Sequence, residues 1–340
     1  MKTNPFSYSA KKSAYIFTLI LIFVLNLSLA QKRGNTLSKH IRNSYTVSPD
    51  YTFAVVNKFG QVTINTWSKN EIEVDVEVKV WARNEEEAKD MLDKISIDEK
   101  EREKEISYET KFTKRYKNSN STGFEINYEV NMPSYLALKL ENRFGATYLS
   151  DFDGAISLLS AYGSLKTKRL SSKEVDIQVS YGKADIDEMR YGKLKTSYCS
   201  YVNIGKAGNI YVEDRNGRLD IEEADIIEAN SAYSHFGLGQ LNKSLLLKAK
   251  FGSADIENIS ASLEKLDIDI AYGSVDLDLR DVSDFSFDVE VAFGSFDSGS
   301  NKLVYQTQID KPTNKQYQGT KGKGGNTSIK IRAAYGNVEF

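Results

Sequence analysis

The sequence predicts an all-β protein whose main part is a parallel β-solenoid, or β-helix, of repeats about 17–21 residues long. Two observations lead to this prediction. An aromatic residue followed by glycine recurs at nearly constant spacing, and apolar residues alternate with polar residues on both sides of each such pair. An N-terminal β-rich region with one helix is expected to precede the repeats.

The aromatic-glycine pairs are the predicted structural anchors of the repeats, and they continue to the end of the chain. They are Phe59-Gly60, Phe144-Gly145, Tyr162-Gly163, Tyr181-Gly182, Phe251-Gly252, Tyr272-Gly273, Phe293-Gly294 and Tyr335-Gly336. Weaker copies fill the central interval at Tyr198-Cys199, Asn216-Gly217 and Tyr233-Ser234. From Phe144 onward the copies are 17–21 residues apart, except for a final step of 42. Because 42 is twice 21, we expect one copy to be interrupted by an insertion.

Each copy predicts two short strands joined at a kink. Buried positions are even-numbered over residues 266–270 and odd-numbered from Val275 to Leu277, on either side of Tyr272. A strand exchanges its faces only through a bulge or corner, and glycine adopts such backbone at least cost. One copy cannot bury its apolar face alone, so we expect copies to stack, with the aromatic rings as an internal ladder. A meander of hairpins in a barrel or sandwich is the alternative architecture.

The chain divides into three predicted parts. Residues 1–30 are a signal peptide, residues 31–135 are the N-terminal β-rich region, and residues 136–340 are the solenoid domain. The first repeat copy lies near residues 53–64, and a mobile, glycine-rich loop is expected as an insertion at about residues 306–326.

The N-terminal region is expected to cap one end of the repeats and to protect an exposed strand edge. Asn84 is the predicted N-cap of the helix, which is followed by three glutamates at its positive end. The two strands predicted at Ile106–Phe112 and Phe124–Val130 are expected to pair as a hairpin.

The first thirty residues have the pattern of a secretory signal peptide, with Lys2, Lys11 and Lys12 before an apolar run and small residues at its end. An uncleaved membrane anchor is the alternative, for which the apolar run is short. Cleavage would change the formal net charge from −2 to −5. Such a weakly acidic chain lacks the basic surface that nucleic acids require. Cys199 is the only cysteine, so no internal disulfide can form.

We predict no catalytic, cofactor-binding or metal site, and no cofactor. Of the two histidines, His40 falls in a segment expected to be loose and His235 in a degenerate repeat. Cys199 stands in a glycine place and is expected to be a small buried side chain rather than a nucleophile. The chain also ends in alternating residues at Phe340, and an outer-membrane β-barrel is therefore a further alternative.

Outward carboxylates are the strongest reason to consider an enzyme. Solenoid enzymes that cleave polysaccharides place acidic residues on one outer face, where they are available for acid-base chemistry or cations. The aspartates expected to point outward are Asp185, Asp187, Asp220, Asp255, Asp267, Asp269, Asp276 and Asp278. The alternative, which we favour, is a solvated face neutralised by the nearby Lys183, Lys193, Lys195 and Lys250.

Three segments together resemble the "putative adhesin" β-repeat domains of bacterial envelope proteins. They are NKFGQVTI at Asn57–Ile64, EEEAKDMLDKI at Glu85–Ile95 and LALKLENRFGATYL at Leu136–Leu149. The resemblance covers roughly residues 51–340. It implies a β-helical fold, a location in the periplasm or at the surface of a bacterium, and no known catalytic residues.

Together these features predict an exported, non-catalytic binding or scaffold module. Its partner would be an envelope protein or a glycan of unknown identity. Exposed tyrosines such as Tyr191, Tyr201 and Tyr211 are candidate contacts, because tyrosine suits polar interfaces. A β-helical polysaccharide-degrading enzyme that uses the outward aspartates is the alternative function.

Overall fold

The structure, a computed structural model, describes residues 35–113 and 121–340. The predicted signal peptide lies outside the described residues. Twenty-five strands and one helix are present in the described part of the chain. The strands are β1 Asn35–Thr46, β2 Thr52–Lys58, β3 Val62–Trp67, β4 Glu71–Ala82, β5 Ile95–Arg102, β6 Glu105–Phe112, β7 Gly123–Pro133, β8 Ala137–Arg143, β9 Thr147–Leu149, β10 Ile156–Ala161, β11 Ser164–Leu170, β12 Val175–Ser180, β13 Lys183–Ser197, β14 Tyr201–Arg215, β15 Arg218–Ala232, β16 His235–Lys250, β17 Ser253–Ile259, β18 Lys265–Ala271, β19 Ser274–Leu277, β20 Phe285–Ala292, β21 Ser295–Asp297, β22 Leu303–Asp310, β23 Asn314–Lys321, β24 Ser328–Ala334 and β25 Asn337–Glu339, and the helix α1 is Glu85–Asp93.

The strands form one open, mostly parallel sheet, which confirms the all-β prediction. Strands at equivalent places in neighbouring copies pair in register. Strand β10 lies between β8 and β12, with Leu158 opposite Leu140 on one side and Ile177 on the other. On the other side of the kink, β11 lies between β9 and β13 in the same way. Parallel pairing of this kind places equivalent side chains in columns that run from copy to copy.

The interior columns are apolar, as the alternation predicts. Leu266, Ile268 and Ile270 are buried before the kink, and Val275 and Leu277 are buried after it. These residues belong to one continuous hydrophobic core that extends from the N-terminal region to the last strand. Each fully buried aliphatic side chain contributes about 1.5–3 kcal/mol relative to exposure, so this core, rather than any disulfide, holds the chain together.

The kink differs from the expectation, because the aromatic residue and not the glycine adopts the left-handed conformation. The φ angles at the aromatic positions, and at Asn216, are 53–67°. The glycine is needed for a different reason, which is close approach of the backbone. A Cβ atom on Gly163 would lie 1.9 Å from the carbonyl oxygen of Gly145, and one on Gly182 would lie 2.0 Å from that of Gly163. Neighbouring copies can therefore pair at the kink only where the side chain is absent or the backbone adjusts.

The N-terminal region covers one end of the sheet, but the predicted hairpin is wrong. Strand β6 pairs in parallel with β2 and antiparallel with β5. Strand β7 pairs in parallel with β3 and antiparallel with β4, whose other edge holds β1. Among the described residues β6 and β7 are thus paired with other strands, and they repeat the arrangement of β2 and β3. Apolar and polar residues alternate in both strands, as they would in the two strands of a hairpin. Alternation alone therefore could not show that these strands pair with β2 and β3 instead.

Helix α1 begins where the sequence predicts. The side-chain oxygen of Asn84 accepts a hydrogen bond of 2.8 Å from the backbone N–H of Glu87. Ala88 and Met91 are the buried residues of the helix and form its inner face. In the part of the chain described here, no helix combines the length and the apolar character needed to cross a membrane.

The predicted mobile loop at residues 306–326 is largely a β-hairpin. Strands β22 and β23 pair antiparallel, and β23 also pairs antiparallel with β20. The return of the chain places β24 between β18 and β20, so that the last copy in sequence lies between the two copies before it. Glycines 319–325 suggested flexibility, yet Tyr317 is buried and the backbone around it is paired. Both ends of the described sheet are therefore covered by antiparallel strands.

Candidate functional site

One edge of the structure carries a continuous row of equivalent residues, which we name the aromatic column. In spatial order its members are Phe59, Phe144, Tyr162, Tyr181, Tyr198, Asn216, Tyr233, Phe251, Tyr272, Tyr335 and Phe293. Neighbouring rings are stacked, with centroids 4.8–5.0 Å apart and planes 1–12° from parallel. The spacing matches the distance between paired strands.

The aromatic column lies outside the core, and the predicted internal ladder is wrong in this respect. Nine of the ten rings are 45–60% exposed, whereas Phe59 is partly covered by Phe112 and Phe124. In a regular strand, residues two positions apart lie on the same face. The ring should therefore point into the interior, because the residue two positions before it is buried. The left-handed backbone at the aromatic residue turns its side chain outward instead. The sequence carried one signal for this, since Asn216 occupies the same place and asparagine is rarely buried.

Asn216 interrupts the stack, and we name the space between the rings of Tyr198 and Tyr233 the column gap. The backbone continues unchanged through it. Tyr198 N–H donates to the carbonyl of Arg215 at 2.8 Å, and Asn216 N–H donates to that of Ala232 at 3.0 Å. Two ring faces therefore border a space about twice the usual 4.8–5.0 Å spacing. Tyr198 and Tyr233 are the most exposed rings of the column, at 55% and 60%, because each lacks one stacked neighbour.

A groove of about 430 Å³ begins two residues beyond Asn216 and Tyr233 in the chain. We name it the acidic groove, and its lining residues are Arg218, Asp220, Ile221, Glu222, His235, Gly237, Leu238, Gly239, Asp255 and Glu257. Gly237 lies in register between Asp220 and Asp255, where it adds no side chain to the outward column. A Cβ atom on Gly237 would lie 2.5 Å from Asp220 Oδ1. The two glycines thus form the floor of the groove, and carboxylates form its walls.

Charges in the acidic groove are partly compensated. The Arg218 guanidinium donates to both oxygens of Asp220, with distances of 2.6 Å from Nε and 3.0 Å from Nη2. His235 Nδ1 lies 2.9 Å from Ser253 Oγ and 3.4 Å from Asp255 Oδ2. Four carboxylates thus face one guanidinium and one imidazole. The groove is well supplied with hydrogen-bond acceptors, which suit a neutral ligand rich in donors better than an anion.

The interior behind the column gap is polar. Asp214 is 1% exposed, and its Oδ1 accepts a hydrogen bond from the Thr196 hydroxyl. The second oxygen, Oδ2, has no hydrogen-bond partner in the described structure. Cys199 is also buried, and burial raises the pKa of its thiol. The equivalent position is apolar in some other copies, as at Val179 and Ile270, and holds a neutral polar residue in others, including Asn57, Asn142 and Ser160. Among the described copies Asp214 is the one carboxylate at this position.

The other predicted aspartates mostly form local ion pairs on the strand surface. Asp185 pairs with Lys166 at 3.7 Å, and Asp187 pairs with Lys168 at 2.7 Å. The remaining pairs are Asp267 with Lys265 and Arg332, Asp269 with Arg332, and Asp278 with Arg280. Asp276 lies opposite Asp255 in the parallel ladder. Within residues 35–113 and 121–340, no group of three or more His, Cys, Asp or Glu side chains is placed to hold a metal ion.

The lysines predicted to neutralise the aspartates act differently. Lys193 and Lys195 both pair with Glu213, at 3.5 Å, rather than with an aspartate. Lys183 follows the kink at Tyr181, and Lys250 precedes the kink at Phe251. Neither takes part in an ion pair in the described part of the chain. Cross-strand neutralisation thus occurs, but mainly through other residues.

The predicted tyrosine contacts and His40 have mixed outcomes. Tyr191 and Tyr201 are exposed, whereas the hydroxyl of Tyr211 donates to Glu213 at 3.0 Å and accepts from Asn230 at 2.7 Å. The expectation of a loose segment around His40 is wrong, because His40 lies in β1, with Nδ1 3.0 Å from Asp75 Oδ1.

The chain is similar to several solved structures over nearly its whole length. A "putative adhesin" from Parabacteroides merdae is 13% identical, with 88% of this chain and 95% of that chain covered and a TM-score of 0.37. A "putative adhesin" from Parabacteroides distasonis is 12% identical, with 90% and 97% covered and a TM-score of 0.36. A "putative lipid binding protein" from the same organism is 10% identical, with 90% and 96% covered and a TM-score of 0.37. No family model and no curated protein matches the chain. Proteins named as adhesins, the group that the sequence resembles, are thus among the solved structures to which this chain is similar.

Proposed function

We propose that the protein is an exported, non-catalytic binding module of a bacterial cell envelope. In this proposal the chain is a parallel β-solenoid that serves as a rigid support for the aromatic column. The signal-peptide pattern of residues 1–30 supports export. The parallel, in-register pairing of successive copies supports a rigid rod, because each copy is hydrogen-bonded to its neighbours on both sides.

The observation that carries the proposal is the exposure of the aromatic column. Nine rings remain about half in contact with water, although the core is complete without them. Each ring also stands on a residue with positive φ, a conformation that is unfavourable for bulky side chains. Aligned, exposed apolar groups on a rigid element are typical of interaction surfaces. The column is therefore assigned to the binding of a partner.

Binding to isolated cell envelopes tests this function. The mature protein, residues 31–340, is mixed with envelopes of the source bacterium, and bound protein is measured by co-sedimentation. We expect the combined substitutions Tyr181→Ala and Tyr272→Ala to weaken binding at least tenfold. Tyr148→Ala and Tyr135→Ala, which remove exposed rings outside the column, serve as the matched control. Equal binding by the column variant and the control variant would contradict the assignment.

Polysaccharide cleavage is the second candidate function, because the acidic groove contains several carboxylates. Acid-base hydrolysis needs one carboxyl group that holds a proton and another that does not. Both oxygens of Asp220 are held by the Arg218 guanidinium in an ion pair, which suits this side chain poorly to the role of the acid. Incubation with a glycan panel distinguishes the functions. Sustained product release that is lost in Asp255→Asn would replace the non-catalytic proposal.

A further inference from the structure

We propose that the column gap is a binding slot for one neutral pyranose ring of a glycan, and that the acidic groove binds the hydroxyl groups beside it. This inference rests on the proposed binding function and names the ligand class. The ring would lie between the faces of Tyr198 and Tyr233, above the side chain of Asn216. An amphipathic sugar matches the two parts of the site, one aromatic and one rich in acceptors.

The geometry of the column gap fits a single inserted ring. Within the runs, ring faces are covered by their neighbours and only ring edges meet water. Tyr198 is stacked on Tyr181 with planes 1° apart, and Tyr233 on Phe251 with planes 8° apart. Their outer faces consequently point along the column into the gap. A ring halfway across a gap of two spacings lies about one ring spacing from each tyrosine, which suits the thickness of a pyranose chair.

The surrounding polar groups favour a neutral sugar over other flat ligands. A pyranose presents C–H groups on its faces and hydroxyl donors around its rim. The faces suit tyrosine rings, and the donors suit the carboxylates of Asp220, Glu222 and Asp255. A phenylalanine side chain or an acyl chain offers no hydrogen-bond donors to the acceptor sites left on these carboxylates, of which Asp220 pairs with Arg218 and Glu222 accepts from Asn203. A uronic acid would add negative charge beside four carboxylates, which is unfavourable.

Asn216 completes the slot. Its side chain is exposed and makes no hydrogen bond within the described structure, so its amide is free to bind a ligand oxygen or hydroxyl. Arg215, next to it, is likewise exposed. Asparagine at this position shares the backbone of the rings, with φ of 57° against 53° at Tyr198 and 56° at Tyr233. The gap thus arises from one side chain and not from any change of fold.

Filling the gap tests the inference directly. Because ten aromatic residues already adopt this backbone conformation, Asn216→Tyr should fold and join the two runs into one stack. The variants Tyr198→Ala and Tyr233→Ala each remove one wall. Asn216→Ser leaves the gap open but removes the amide, and Tyr148→Ala removes an exposed ring outside the column. Thermal unfolding confirms that each variant is folded before binding is measured.

Binding is measured by calorimetric titration with cellohexaose, laminarihexaose and mannohexaose, and with polygalacturonate as the acidic counterpart. We expect at least one neutral hexaose to bind, with at least a tenfold loss in Asn216→Tyr, Tyr198→Ala and Tyr233→Ala. Asn216→Ser should bind more weakly than the original protein but more tightly than Asn216→Tyr. Binding by Tyr148→Ala should stay within threefold of the original, and polygalacturonate should not compete. Unchanged binding of the hexaose by Asn216→Tyr would overturn the slot. So would retained binding to whole envelopes with no affinity for any neutral hexaose, an outcome that leaves the proposed binding function intact.

Discussion

The regular runs of the aromatic column and its gap share one backbone conformation but differ in the side chain at the kink and in the groove beside it. In the runs, ring faces cover one another, and the nearby strand surfaces carry paired charges such as Lys166 with Asp185. At the gap, two ring faces are uncovered, and glycines open a groove beside them. The inner side differs as well, because the buried group with an unpartnered oxygen is there a carboxylate, that of Asp214, whereas in a regular run it is a hydroxyl, as at Ser160.

This difference indicates a division of roles within one repeated architecture. Regular copies supply stability through the same buried and stacked positions. The irregular copies around Asn216 keep the pairing but give up stacked rings and bury a carboxylate at Asp214. Recognition at the gap, as proposed, needs no change of fold, since a substitution at one kink leaves the pairing of the neighbouring strands unchanged. The irregular copies are therefore where a ligand is expected, and the predictions below test whether the two regions differ as described.

The largest effect is expected from the interior of a regular run. Leu247 is completely buried, and Leu247→Ala should lower the free energy of unfolding by about 2–5 kcal/mol, because it leaves a cavity. Phe251→Ala, in the same copy, removes two stacked contacts at 4.8 and 4.9 Å and should cost about 1–2 kcal/mol. Urea unfolding compares the two variants. A larger loss for Phe251→Ala would show that the outer column, and not the core, holds the run together.

Glycine substitutions at the kink should separate the two regions. Gly163→Ala in a regular run places a Cβ atom 1.9 Å from a backbone oxygen and should cost about 3 kcal/mol. Gly217→Ala should cost less, because the corresponding contact with the Cys199 oxygen is 2.4 Å and the copies on both sides already carry side chains at this place. Equal losses in urea unfolding would mean that the kink is as tight at the gap as elsewhere.

Apolar replacement behind the gap should stabilise the protein. The double substitution Thr196→Val and Asp214→Val removes a buried donor and acceptor together and restores the apolar character found at Val179. An unsatisfied buried polar group costs about 1–3 kcal/mol, so the free energy of unfolding should rise by a similar amount. Thr196→Val alone is the control and should destabilise, since it leaves Asp214 without its partner. A less stable double variant would show that Asp214 is satisfied by a group such as buried water.

The smallest effect is expected for the reactivity of the Cys199 thiol. This reactivity tests whether the column gap gives solvent access to the interior or is confined to the surface. Burial raises the pKa of the thiol above its ordinary value, so the reactive thiolate is scarce even in mildly alkaline solution. The native protein at pH 8 should therefore react with a thiol reagent far more slowly than the urea-unfolded protein. Ser200→Cys, combined with Cys199→Ser, provides a matched exposed thiol next to the same kink. Comparable rates for the native and unfolded chains would contradict a closed interior.

The sequence predicted the parts of the structure that depend on local pattern. Alternation around residues such as Leu266 and Val275 identified the strands and their buried faces, and Asn84 identified the start of the helix. The outward direction of the rings was not predicted, because a positive φ at a bulky residue is unfavourable locally and is imposed by pairing between copies. For the same reason the column gap was missed, although Asn216 marked its position.

The spatial order of the last copies could not be predicted from the sequence either. Spacing indicated an interruption between Phe293 and Tyr335, but which strand pairs with β18 depends on distant contacts. The hairpin β22–β23 decides the outcome, because it occupies the free edge of β20 and returns the chain to the opposite edge of that strand. Glycines in this segment suggested a loop, and pairing with an existing strand edge overrode that local preference.

Observation of the tyrosine rings during ligand binding tests the central claim most directly. The protein is labelled with ¹³C in its tyrosine rings, and NMR spectra are recorded as the neutral hexaose with the highest affinity is added. We predict that the signals of Tyr198 and Tyr233 shift, while those of Tyr162 and Tyr335, inside the regular runs, stay in place. Equal shifts along the whole column, or shifts confined to tyrosines away from the gap, would contradict the claim that recognition occurs where the stack is interrupted.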